Sequence, residues 1–295
     1  MYDSIVFPVD DSEGVDAAFE YVTEIAETHD ATLHLLTVAD VTRDSVMLVG
    51  GQVVDILEAA GEKVLANAEK RIAGHDIDTV TAVRRGTVAQ TIVEYTDTVD
   101  ADAIVMPTRG RSGVSRTILG SVTARVLRQA TTPVITLNPD TATGRPYPPR
   151  EILVAVDGSE ASHPAQEASI ALAADQSAAL HVLMVLQQAD LDLAEEVPAQ
   201  FDAEELRPRA EQAVTEATEM AADRGVEVAA GTVETGATIH EVIDDYAQAH
   251  GIDFIVMGTH GRTGVQRHLL GSVAEKTVRT ASVPVMTVRS EAEAD

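Results

Sequence analysis

The sequence predicts an α/β fold, a parallel sheet covered on both faces, built twice in tandem. Three observations lead there. Short apolar runs alternate with longer segments of helical periodicity along the 295 residues, and apolar strands separated by helices belong in parallel sheets. The second half of the chain repeats the first. A proline- and glycine-rich stretch without periodicity lies between the halves.

The repeat is legible residue by residue. Ser4-Ile5-Val6-Phe7-Pro8-Val9-Asp10-Asp11-Ser12-Glu13 returns as Glu151-Ile152-Leu153-Val154-Ala155-Val156-Asp157-Gly158-Ser159-Glu160. Leu33-His34-Leu35-Leu36 returns as Leu180-His181-Val182-Leu183, Asp102-Ala103-Ile104-Val105-Met106 as Asp253-Phe254-Ile255-Val256-Met257, and Pro133-Val134-Ile135 as Pro284-Val285-Met286. A period of about 150 residues far exceeds solenoid repeats and marks domain duplication. The domains fall at 1–138 and 151–290, with an exposed linker at 139–150 and an acidic tail at 291–295.

Within the first copy, a strand is predicted near 4–9. A helix follows, N-capped by Asp11 or Ser12, with Ala17, Ala18, Val22, Ile25 and Ala26 as its apolar stripe. Strand two lies near 32–38. Helix two spans 51–73, with Ile56, Ala59, Ala60, Val64 and Ala68 facing the sheet. Strand three lies near 78–84, helix three near 88–98, strand four near 103–106, helix four near 121–129 and strand five near 133–137. Right-handed crossovers make this a doubly wound sheet, whose ligands bind beyond the carboxyl ends of the strands.

Composition narrows the function. There are 48 acidic against 21 basic residues, a formal charge of −27, and the only lysines are Lys63, Lys70 and Lys276. Such a chain is not drawn to nucleic acid or to an anionic membrane. An acid-rich, lysine-poor surface suits a very salty cytoplasm, where screening suppresses self-repulsion. Cysteine is absent, which excludes disulfides, thiol nucleophiles and Cys-ligated zinc. With no leader before the first strand and no long apolar run, a cytoplasmic protein is expected.

The loop after strand four carries the chemistry. Copy two reads Gly258-Thr259-His260-Gly261-Arg262-Thr263-Gly264-Val265-Gln266-Arg267-His268-Leu269-Leu270-Gly271-Ser272-Val273-Ala274. Copy one has Pro107 at the first position, then Arg109, Gly110, Arg111, Arg116, Gly120, Ser121, Val122 and Thr123. Glycines let a ligand approach the backbone. Gly120-Ser121 and Gly271-Ser272 open helices, so the Gly271 and Ser272 amides are expected to point at an anion. Residues 103–139 and 254–274 contain no Asp or Glu, so the loops form a basic gap in an acidic protein, where phosphate would go. Asp10 and Asp157 end the first strands, each either a ligand contact or the Asx turn that opens a helix.

Here the chain resembles the universal stress protein family, whose nucleotide-binding members carry G-x2-G-x9-G-[ST] after strand four. Gly258, Gly261, Gly271 and Ser272 match in full; copy one matches at Gly110, Gly120 and Ser121. The resemblance implies Rossmann-like domains of the adenine nucleotide α-hydrolase type, with five strands in the order 3-2-1-4-5. It further implies dimers that pair through strand five, whether between the two copies or in a homodimer. It implies ATP, with Mg2+ where the phosphates carry it, held by Asp157, Val185, Gly258, Gly261, Gly271, Ser272, Val273 and Ala274. In copy one the corresponding positions are Asp10, Val38, Gly110, Gly120, Ser121, Val122 and Thr123. Pro107 has no N–H and a fixed φ, so copy two is expected to bind more tightly.

Other arrangements are weaker. His260, His268 and Asp157 lack ligand spacing for a protein-only metal site. His34 and His181 lie inside strand two, as satisfied core histidines do. No G-x4-G-K-[ST] loop is present. Three functions stay open: ATP as a regulatory ligand in stress response, slow hydrolysis of an adenine nucleotide, and a pseudo-dimeric scaffold that binds no nucleotide.

Overall fold

The computed structural model describes residues 1–40, 52–109, 119–141, 146–189, 203–259 and 270–290. The chain forms two compact units, Met1–Pro148 and Pro149–Asp295. The first contains β1 (Ser4–Pro8), α1 (Glu13–His29), β2 (Thr32–Asp40), α2 (Gln52–Ile72), β3 (Thr79–Gly86), α3 (Val88–Thr98), β4 (Ala103–Pro107), α4 (Ser121–Gln129) and β5 (Val134–Leu137). Its strands run in the order β3-β2-β1-β4-β5, every pair parallel.

The second unit contains β6 (Glu151–Val156), a 3-10 turn (Glu160–Ser162), α5 (His163–Gln176), β7 (Ala179–Gln187), α6 (Ala203–Asp223), β8 (Val228–Gly236), α7 (Ile239–Ala249), β9 (Phe254–Gly258), α8 (Ser272–Thr280) and β10 (Val285–Val288). Its order, β8-β7-β6-β9-β10, is the same and again parallel. The doubly wound fold is therefore present twice. No described helix is long and apolar enough to cross a membrane.

The central strands bury both faces, as their apolar runs require: Ile5, Phe7, Leu33, Leu35 and Ile104 are fully enclosed in the first unit, Ile152 and Phe254 in the second. β3 breaks the apolar rule because it is an edge strand, and only Ala82 of its eight residues is buried. It runs two residues beyond the predicted end at 84, through Arg85 to Gly86.

Helix two is the clearest correction. Gly61, Leu65, Ala68 and Ile72 are its buried positions, while Ala59 and Ala60 are exposed and Val64 is half-buried. The predicted stripe is rotated because glycine does not register as apolar. Gly61 nonetheless sits against the sheet, where a Cβ would come within 2.6 Å of Thr37 Cγ2. Ile56 lies among residues whose side chains are not described.

The stretch read as exposed linker also differs at its end. Tyr147 is 7% exposed and packs edge-on against Tyr21. Its hydroxyl lies 2.6 Å from His29 Nε2, and its N–H donates to Glu24 Oε2 at 3.0 Å. A large aromatic surface outweighs the turn chemistry of its proline neighbours and fastens this segment to the first unit.

His181 is buried as expected of a core histidine, whereas His34 is half-buried, and each has a tyrosine partner. His34 Nδ1 lies 3.0 Å from the Tyr95 hydroxyl, and His181 Nδ1 lies 3.0 Å from that of Tyr246. Burial holds the His34 pKa below its ordinary value of 6.5. Below that value the unfolded chain takes up a proton that the folded chain refuses, so stability falls as pH drops from 6.5 toward the folded pKa and then levels. The loss in melting temperature between pH 7.5 and 5.5 is expected to be smaller in His34→Gln than in the parent. An equal loss in both would remove His34 from the account.

Candidate functional site

β1 ends at Pro8, and Asp10 follows at the carboxyl edge of the sheet. Asp10 Oδ1 accepts the Ser12 N–H at 3.0 Å, and Ser12 Oγ caps α1 by accepting from the Val15 N–H at 3.4 Å. Copy two repeats the Asx turn: Asp157 Oδ1 accepts the Ser159 N–H at 3.0 Å and its hydroxyl at 2.7 Å. The turn fixes where each carboxylate stands, so the local role and a ligand role are compatible at these positions.

The glycine loops are closed at the base in the same way. Gly120 N–H donates to Thr108 O, and Gly271 N–H to Thr259 O, both at 2.8 Å. The glycine amides are therefore consumed internally, contrary to the expectation that Gly271 offers its own to a ligand. The helices begin with Ala124 N–H to Gly120 O at 2.8 Å and Glu275 N–H to Gly271 O at 2.9 Å. Ser121, Val122 and Thr123, with Ser272, Val273 and Ala274, lie ahead of those first bonds. Theirs are the first-turn amides that carry the positive end of the helix dipole.

Glycine is needed at 120 for approach. A Cβ there would sit 3.0 Å from Thr108 O and 3.4 Å from Arg109 Cα. On the far side, a Cβ at Gly14 would lie 2.0 Å from Arg109 O. The backbone of the loop after β4 is thus seated between α1 and the start of α4.

A cleft of about 570 Å3 opens at this end of the first unit. Asp10, Val38, Gly120, Ser121, Val122 and Thr123, the site residues expected in copy one apart from Gly110, all line it. Leu57, Ala60, Gly61 and Val64 of α2 add an apolar wall, and Arg109 and Arg125 add charge. The α2 wall was missed because Ala60 and Val64 read as core; they are apolar because they face the cleft. Gly110 and Gly261 lie outside the described residues, as do Arg111, Arg116, His260, Arg262, Arg267 and His268.

In copy two, a cleft of about 460 Å3 is lined by Gly158 and by Leu206, Arg209, Gln212, Ala213 and Glu216 of α6, and none of the site residues expected in this copy lines it. Val185 and Gly258, half-buried at the ends of β7 and β9, and Gly271 at the start of α8 occupy the positions that match copy one.

Pro107 has a definite consequence. Ile104 and Thr108 donate their N–H groups to Pro133 O and Leu137 O, so alternate positions on β4 face β5. Residue 107 faces the other way, toward β1, beyond the last β1–β4 partners Val6 and Ile104. That is the crevice where the strands diverge. Gly258 has the same alternation, since Ile255 and Thr259 donate to Pro284 O and Val288 O, but the β6–β9 pairing continues to Ala155 and Met257. The Gly258 N–H therefore belongs to the β6–β9 ladder, and the difference between the copies at this position is a sheet contact that Pro107 cannot make.

Comparison with known proteins bears on the family and the fold. The model of the universal stress protein family matches residues 1–138 and again 149–289. A universal stress protein of Mycolicibacterium smegmatis is 27% identical over 294 residues, covering 97% of this chain and 96% of the relative. One from Methanocaldococcus jannaschii is 31% identical over 141 residues, 48% of this chain and 82% of the relative. The crystal structure of a universal stress protein from Archaeoglobus fulgidus superimposes with a TM-score of 0.73 at 23% identity, covering 97% of this chain and 98% of that one. With the family matched across both halves and the fold repeated in each, the chain belongs to the universal stress protein family.

Proposed function

We propose that this universal stress protein binds an adenine nucleotide, ATP, as a regulatory ligand at the carboxyl ends of its sheets, and that copy two binds more tightly than copy one. The observation that carries the reading is the convergence of Asp10, Val38, Ser121, Val122 and Thr123 on one cleft of about 570 Å3, a volume typical of small-ligand sites. Its apolar α2 wall suits a base, and its helix N-terminus suits phosphate. Copy two has matching first-turn amides and, at the first position of its loop, glycine in place of Pro107. Mg2+ would enter with the phosphates, since ATP supplies the oxygen ligands that this cation prefers.

Mass spectrometry of ligand released from the purified, denatured protein tests the assignment. An adenine nucleotide is expected. Stoichiometric release of a ligand that is not a nucleotide would overturn it.

We further propose adaptation to high salt, supported by 48 acidic residues against three lysines. The Debye length shrinks from ~30 Å at 0.01 M to about 3 Å at 1 M salt, so carboxylate repulsion fades over that range. The melting temperature is expected to rise with KCl well past physiological strength. A melting temperature unchanged between dilute and molar KCl contradicts this.

A further inference from the structure

We propose that Arg109 is a phosphate-binding residue of copy one and that Asp140 is its built-in counter-ion, displaced when the ligand's phosphates arrive. The inference rests on the nucleotide-binding reading and names a control on that site. Arg109 lines the copy-one cleft, and its backbone abuts Gly120 at the start of α4. Its side chain is only 19% exposed, whereas that of Asp140 is 42% exposed. Arg109 Nη2 donates to Asp140 Oδ2 at 2.5 Å and to Asn138 Oδ1 at 3.1 Å.

One nitrogen thus serves both acceptors, and the guanidinium has further N–H groups to offer a second anion. Asp140 is the first acid after the acid-free stretch 103–139. The charge gap that makes the loop attractive to phosphate therefore ends at the residue that neutralises one of its arginines. Asp140 also lies beyond the first family match, which stops at 138. The pair is particular to copy one, because copy two has His260 and Arg289 at the positions of Arg109 and Asn138. Arg109 supplies copy one with a donor near the place where Pro107 removes one, and Asp140 competes for that donor while the site is empty.

A double-mutant cycle on the full chain in molar KCl tests this, with ATP and inorganic tripolyphosphate as probes. Photolabelling with an azido-ATP assigns each effect to peptides of copy one. Asp140→Asn is expected to tighten copy one about two- to fivefold for both probes, the worth of a partly exposed ion pair. Arg109→Met is expected to weaken it about tenfold, the loss of one charged hydrogen bond. In the Arg109→Met background, Asp140→Asn is expected to change nothing, because Asp140 acts through Arg109. If Arg109→Met melts early, Arg109→Lys takes its place, keeping the charge without the planar fork.

Unchanged or weaker binding in Asp140→Asn overturns the proposal. So does a gain that persists without Arg109, which would reflect general charge repulsion. A parent chain that binds tripolyphosphate but not ATP contradicts the nucleotide reading and leaves the Arg109–Asp140 comparison measurable. A parent chain that binds neither probe overturns both.

Discussion

Gly271→Val is expected to abolish the tighter of two ATP-binding phases, while Gly120→Val leaves that phase nearly intact. The two glycines have nearly the same backbone, φ −57° at Gly271 and −59° at Gly120, and each donates to a threonine carbonyl across the loop base. At Gly120 a Cβ would already stand 3.0 Å from that carbonyl, so a branched side chain must push loop and helix apart. The amides that follow then miss the phosphate. A lost hydrogen bond to a charged group costs ~1.5–3 kcal/mol, or about ten- to a hundredfold in affinity. The parent sites are ranked by the first loop residue, glycine at 258 and proline with its fixed φ at 107. Calorimetric titration of each variant with ATP reads the effect. Tight binding that survives Gly271→Val and disappears in Gly120→Val would reverse the ranking of the copies.

Gly14→Ala is expected to destabilise the first unit, although alanine is the better helix former. The helix gains about 1 kcal/mol from the exchange. Against that, the new Cβ would lie 2.0 Å from Arg109 O and 3.3 Å from Pro107 Cβ, and the obstacle is backbone rather than the flexible end of a side chain. Overpacking costs ~1–3 kcal/mol and occasionally more, and a contact this short belongs at the upper end. A net loss of ~1–2 kcal/mol lowers the melting temperature of a unit this size by roughly 2–8 °C. Copy two has Ala161 at the matching position, half-buried within its 3-10 turn. Ala161→Gly is therefore expected to show no comparable penalty. Thermal melts of the two variants check the contrast, and a stabilised Gly14→Ala would contradict the packing of the loop against α1.

Much of this was legible in the sequence because periodicity reports burial. The runs at Ile5–Phe7, Leu33–Leu36 and Ile104–Met106 became central strands since both faces are covered. α4 and α8 start where glycine is followed by serine, as the helix-start pattern requires. Periodicity failed where apolar character has another cause. Ala60 and Val64 suggested a core stripe but line the cleft, and Gly61 was passed over because its packing role lies in having no side chain. Tyr147 hid among prolines and glycines whose turn signals dominate the local pattern.

At the site, the spacing of Gly258, Gly271 and Ser272 correctly anticipated the strand–loop–helix setting. Of the two donors expected there, Gly271 and Ser272, the first is already bonded to Thr259 O, because that bond depends on how the loop returns to its strand. No local signal announces such a closure. Arg109 was visible as a basic residue, but its pairing with Asp140 depends on β5 bringing residue 140 back beside the end of β4.

The most direct test of the account is a calorimetric titration of the unmodified chain with ATP in molar KCl. Two unequal phases are expected, the tighter lost in Gly271→Val. No detectable heat and no retained nucleotide up to millimolar ATP would contradict the nucleotide-binding reading and favour a scaffold that works without it.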